Sequence, residues 1–134
     1  MKNWTVFATA CVGALMAVAP MAAHHSFAAE YDSKKPVTLK GIVTKVEWMN
    51  PHVYFYIDVK DAEGKTTNWA VELGNPAGLY RRGWKKDALK IGGTTKIEGS
   101  MSKDGSNRVN ASTVTMDGKR LFAGSSGEEG YDGK

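Results

Sequence analysis

The stretch Val37 to Lys60, VTLKGIVTKVEWMNPHVYFYIDVK, restricts the possible folds more than any other part of the chain. Val37 and Leu39 share one face by period-two alternation, and after Gly41 the apolar positions change parity to Ile42, Val46 and Trp48. A strand that changes face at a glycine is expected to bend there. Asn50-Pro51-His52 then turns the chain, since a residue before proline is biased away from helix. The following strand alternates without interruption: Val53, Phe55, Ile57 and Val59 on one face, His52, Tyr54, Tyr56 and Asp58 on the other. A bent strand followed at once by an antiparallel partner is the opening of a small β-barrel.

The next segments extend that pattern. Asp61 to Lys65 forms a polar hairpin loop leading to a third strand, Thr66 to Leu73, with Trp69, Val71 and Leu73 facing inward. The register with Lys60 opposite Thr66, Ile57 opposite Trp69 and Phe55 opposite Val71 keeps both apolar sets on one side. That register places Tyr54 opposite Glu72 on the outer face, with His52 diagonal to it. Asn75-Pro76 reads as the cap and first position of a short helix, and Gly83 as its stop. Leu79 and Tyr80 are expected to seat that helix on the barrel, with Trp84 and Leu89 plugging the barrel end. Strands are expected at Thr94 to Met101 and Arg108 to Met116, with a short final strand through Phe122 after the Asp117-Gly118 turn.

Three strands, a helix and two strands match the order of the OB-fold, an all-β five-stranded barrel, here with one short helix between strands 3 and 4. Another small open barrel is the main alternative. The division expected is a signal peptide over residues 1–23, the barrel with an extended N-terminal arm over 24–122, and a disordered glycine-, serine- and acid-rich tail over 123–134.

The leader reading rests on Lys2, the apolar run Trp4 to Val18 and the small residues after it. The run is short for a bilayer span, so no membrane insertion is expected after processing, and the address is the periplasm. Cleavage after Ala17-Val18-Ala19 would place Pro20 beyond the scissile bond. Cutting after Ala22 or Ala23 fits better, and Ser26-Phe27-Ala28 is a third candidate. Cys11, the single cysteine, falls within the leader, so no disulfide is expected in the mature chain. Without Lys2 the chain keeps 17 basic and 14 acidic residues, a net +3. That mild charge and the export signal argue against a nucleic-acid partner.

His24-His25-Ser26-Phe27, Gly41-Ile42-Val43, Asn50-Pro51-His52, Trp69-Ala70-Val71-Glu72 and Arg82-Gly83-Trp84 together resemble an uncharacterised family of short exported proteobacterial proteins, filed as a domain of unknown function. The resemblance runs from about residue 24 to 122. It implies a periplasmic address and an OB-like barrel, and it brings no activity or catalytic residues.

Two constellations carry candidate chemistry. The first is His24, His25 and His52. Cleavage after Ala23 makes His24 the first residue, so its amine and ring nitrogen chelate one metal and a further histidine completes a three-nitrogen set. Cleavage after Ala22 makes His25 the third residue, giving a square-planar site of amine, two amides and imidazole. Both suit copper by ligand type and geometry. Glu72 and Tyr54 are candidates to orient His52 from behind, and Met49 is a candidate soft ligand for Cu(I). Against this stands a bland alternative, a solvated arm and a turn histidine.

The second constellation is Tyr54 and Tyr56 on the outer face of strand 2, with Arg81, Arg82, Lys85 and Lys86 nearby in sequence. These offer a surface for a periplasmic protein or a glycan. A structural accessory of the envelope is a third possibility. Nucleophile-elbow, phosphate-loop and His-Glu-x-x-His signatures are absent, so no enzyme and no catalytic residue are expected. The expected working form is a monomer.

Overall fold

The computed structural model describes residues 27–124. Six strands follow a short helical segment at residues 27–30: β1 (Tyr31–Glu47), β2 (Tyr54–Lys60), β3 (Thr66–Glu72), β4 (Thr94–Ser102), β5 (Arg108–Met116) and β6 (Lys119–Phe122). A helix, α1 (Pro76–Arg81), joins β3 to β4. The sheet order is β3-β2-β1-β4-β5-β6, and β3 also pairs with β5. That last pairing is parallel, Ala70 with Arg108 through Glu72 with Asn110, and it closes the first five strands into a ring. A long first strand shared between β2 and β4, a helix after β3 and a parallel β3–β5 seam together define the OB-fold topology.

The β2–β3 register runs from Tyr54 opposite Glu72 to Lys60 opposite Thr66, with Phe55 opposite Val71 and Ile57 opposite Trp69, as the alternation requires. Val53, Phe55, Ile57, Val71 and Leu73 are fully buried with Leu79, Ile97 and Val109. Asn75 caps α1 by accepting from the Gly78 amide at 2.7 Å, and Gly83 ends it at φ +92°. Trp84 and Leu89 are buried in the core, and the Trp84 indole donates to the Phe122 carbonyl at 2.8 Å. Leu79 is buried whereas Tyr80 stays half exposed, its ring 5.5 Å from that of Trp48.

Three expectations are corrected. β1 does not change face at Gly41: Leu39, Gly41 and Val43 share the inner face, and Ile42 is exposed. The register shift falls between Val43 and Lys45, at Thr44. Gly41 has a different task, since a Cβ there would lie 2.5 Å from the Asp58 carbonyl oxygen, so its bare backbone lets β2 approach.

The second correction is to the arm. Residues 27–30 are helical, and Tyr31 to Pro36 already belong to β1, with Tyr31 opposite Ser102. The third concerns the tail: Ala123 is fully buried, donates to the Ser112 carbonyl at 2.8 Å and accepts from Gly74 at 2.9 Å. The leader, His24, His25 and the rest of the expected tail lie outside the described residues. Among the described residues, no helix is long and apolar enough to cross a membrane.

Candidate functional site: a buried carboxylate on the outer face

Strand alternation turns Glu72 away from the core, yet it is only 4% exposed. What covers it is Tyr31, the first residue of β1. The Tyr31 hydroxyl donates to Glu72 Oε2 at 2.5 Å, and His52 Nδ1 lies 2.7 Å from Glu72 Oε1. Tyr54, directly opposite on β2, faces the same carboxylate. Burial, together with the hydrogen bond and negative charge of Glu72, holds the Tyr31 phenol far above its ordinary range. Burial and then the charge of Glu72 do the same to Tyr54.

The Glu72 carboxylate fixes the orientation of the His52 ring. With Nδ1 held against Oε1, Nε2 stands on the far side of the ring, the placement from which a carboxylate orients a metal-binding imidazole. The His52 side chain is 20% exposed, so it is held from one side and still reaches solvent. The two segments that meet here, Asn50-Pro51-His52 and Trp69-Ala70-Val71-Glu72, are two of those carrying the family resemblance. The Asn50–Pro51 peptide is cis.

The other sequence candidates are arranged differently. Tyr56 donates to Glu47 at 3.2 Å and lies under the Lys45 ammonium, 5.3 Å from its ring centre. Met49 stands at the outer corner, 52% exposed. Arg81 closes α1, and Arg82 is its C-cap, while Lys85 and Lys86 follow on an exposed loop. Among the described residues, no group of three or more His, Cys, Asp or Glu is placed to hold a metal ion.

Sequence reasoning did not place Tyr31, Arg108 and Asn110 at the site. The Arg108 guanidinium lies 5.7 Å from the Tyr31 ring centre. Asn110, in register with Glu72 and 3% exposed, has an amide nitrogen with no hydrogen-bond partner. The one local signal was Tyr31 itself, an aromatic in a polar stretch; nothing local says that it crosses to β3.

The fold and the site define an OB-fold barrel bearing an oriented histidine–carboxylate pair on its outer face. The chain belongs to the family of unknown function DUF6152, whose model matches residues 12–111. No functionally curated protein matches it. Among solved structures, it is similar to the mitochondrial single-stranded DNA-binding protein Rim1 of S. cerevisiae: 8% identity, 62% of this chain and 93% of that one, TM-score 0.48. The PriB N-terminal domain of Thermoanaerobacter tencongensis gives 19% identity, coverage of 62% and 96%, and TM-score 0.40. A small single-stranded DNA-binding protein of Streptomyces coelicolor gives 17%, 61% and 93%, and 0.41. At these similarities the ligands of those proteins carry no argument for this one, and the fold assignment rests on the strand order and the β3–β5 closure.

Proposed function

We propose that this chain is an exported, non-enzymatic binding module of the periplasm that holds a copper ion between His52 and its processed N-terminus, at His24 or His25. The observation that supports this most is the 2.7 Å contact of His52 Nδ1 with Glu72, which leaves Nε2 as the donor atom. Imidazole and amine nitrogens in an incomplete coordination shell suit Cu(II) by ligand type.

The path of the chain is compatible with a joint site. The Phe27 ring stacks on Tyr31 at 5.8 Å, and Tyr31 is bonded to the same carboxylate as His52. His24 and His25 precede Phe27 by three and two residues, a reach of up to about 10 Å.

The test is Cu(II) titration of the protein purified from periplasm, followed by electron paramagnetic resonance, with intact mass fixing the first residue. Nitrogen hyperfine structure that is lost in His52→Ala and in His24→Ala/His25→Ala is the expected result. Unchanged affinity in His24→Ala, His25→Ala and His52→Ala alike, or a mature chain starting at Ala29, overturns the proposal. A partner captured through Tyr54 and indifferent to chelators would instead favour a protein- or glycan-interaction module.

A further inference from the structure

OB barrels commonly take their ligands on the outer face of strands 2 and 3, between the loop joining strands 1 and 2 and the loop joining strands 4 and 5. Here that face is occupied by residues 27–31 of the chain itself. Tyr31 is 2% exposed, its hydroxyl on Glu72 and its ring beside Arg108. The β4–β5 loop grips the same segment from the other side: the Lys103 amide donates to the Glu30 carbonyl at 2.8 Å, and the Lys103 ammonium donates to the Ala28 carbonyl.

Two features mark this as an occupied site and not as part of the core. The surface that Tyr31 meets is polar: Glu72 and Arg108 can be hydrated when uncovered, and Glu72 keeps its contact with His52. Asn110, in register with Glu72 on β5, also has a buried amide nitrogen without a partner, a donor suited to one carbonyl oxygen. Tyr31 and Asp32 pair with Ser102 and Met101 of β4, and the β1 register then shifts before Pro36, where Ser33, Lys34 and Lys35 are exposed and have no partner on β4. Three exposed residues outside the ladder provide a hinge.

We infer that the outer face of β2, β3 and β5 is a peptide-binding site for a tyrosine-bearing segment, held closed by residues 27–31 as an intramolecular ligand. The recognition chemistry is a phenol hydroxyl on Glu72, a guanidinium beside the ring, main-chain carbonyls on Lys103 and one carbonyl on Asn110. The inference does not depend on copper.

The test is fluorescence anisotropy of a labelled peptide with the sequence of residues 27–36, titrated with the full chain and with Tyr31→Ala. If the docked segment occupies the site more than nine-tenths of the time, releasing it raises apparent affinity at least about tenfold. The expected result is that gain in a Tyr31→Ala protein with native circular dichroism, lost when the peptide carries Tyr31→Ala. Equal affinity of the two proteins, or oligothymidylate bound as tightly as the peptide, overturns the inference. If Tyr31→Ala does not fold, Tyr31→Phe decides: a smaller gain in peptide affinity supports a displaceable segment, and no gain makes Tyr31 purely structural.

Discussion

The imidazole of His52 and the carboxylate of Glu72 meet at 2.7 Å on the outside of the barrel, and Tyr31 seals the other carboxylate oxygen. This arrangement orients a turn histidine, because the carboxylate is itself immobile: strand pairing on both sides of β3 fixes it. It also makes separate demands on each of the three residues.

Glu72→Gln is expected to weaken copper binding by about 10- to 100-fold while leaving the spectroscopic ligand set intact, since the residue orients His52 and does not replace it. Isothermal titration with Cu(II), paired with electron paramagnetic resonance, checks this. An unchanged affinity would mean that His52 needs no orientation.

Tyr31→Phe removes a hydrogen bond to a buried charged group, which is worth about 1.5–3 kcal/mol. Urea unfolding should show the free energy of unfolding fall by that amount, as a lower midpoint with an unchanged slope. Tyr56→Phe, whose hydroxyl meets Glu47 at 3.2 Å, should cost under about 1 kcal/mol, because that bond lies near the surface.

Stability should fall at alkaline pH. The Tyr31 and Tyr54 phenols are held above their ordinary value in the fold, so they stay protonated where the unfolded chain ionises. Their contribution is complete below about pH 10 and is lost as pH rises beyond it. Denaturant midpoints across that range should decline less steeply in Tyr31→Phe.

At the other extreme, hydrogen bonds from Ser106 hold the Asp104 carboxyl at about 2, below its ordinary 3.8. A depressed folded value stabilises above the unfolded pKa and is lost as pH falls through the folded one. The β4–β5 loop should therefore loosen between those two values. Faster Ser106 amide exchange there, absent in Asp104→Asn, is the expected outcome.

Gly41→Ala forces a methyl to within 2.5 Å of the Asp58 carbonyl oxygen, with backbone on both sides unable to yield cheaply. A loss of about 1–3 kcal/mol is expected, or more if β1 and β2 part. Thr44→Gly, at the actual register shift, should cost less than Gly41→Ala.

Much of the barrel was legible in the letters. The β2–β3 register followed from two alternating strands that share one buried face, because a slip by one residue would turn every apolar side chain outward. The helix followed from Asn75-Pro76, whose cap and fixed φ need no tertiary help. Gly41 was misread because a missing side chain signals a bend and a close approach equally well. Glu72 was placed on the correct face and beside His52, but its burial could not be seen, since alternation gives direction and says nothing of what lies above.

By itself, the sequence determined β2 and β3, their register and the side on which His52 and Glu72 stand, because those depend on local periodicity and a single buried face. Only the tertiary structure decided that Tyr31, 41 residues before Glu72, lies across it and that β3 joins β5. Contacts of that separation are set by closure of the whole ring, which no local pattern encodes.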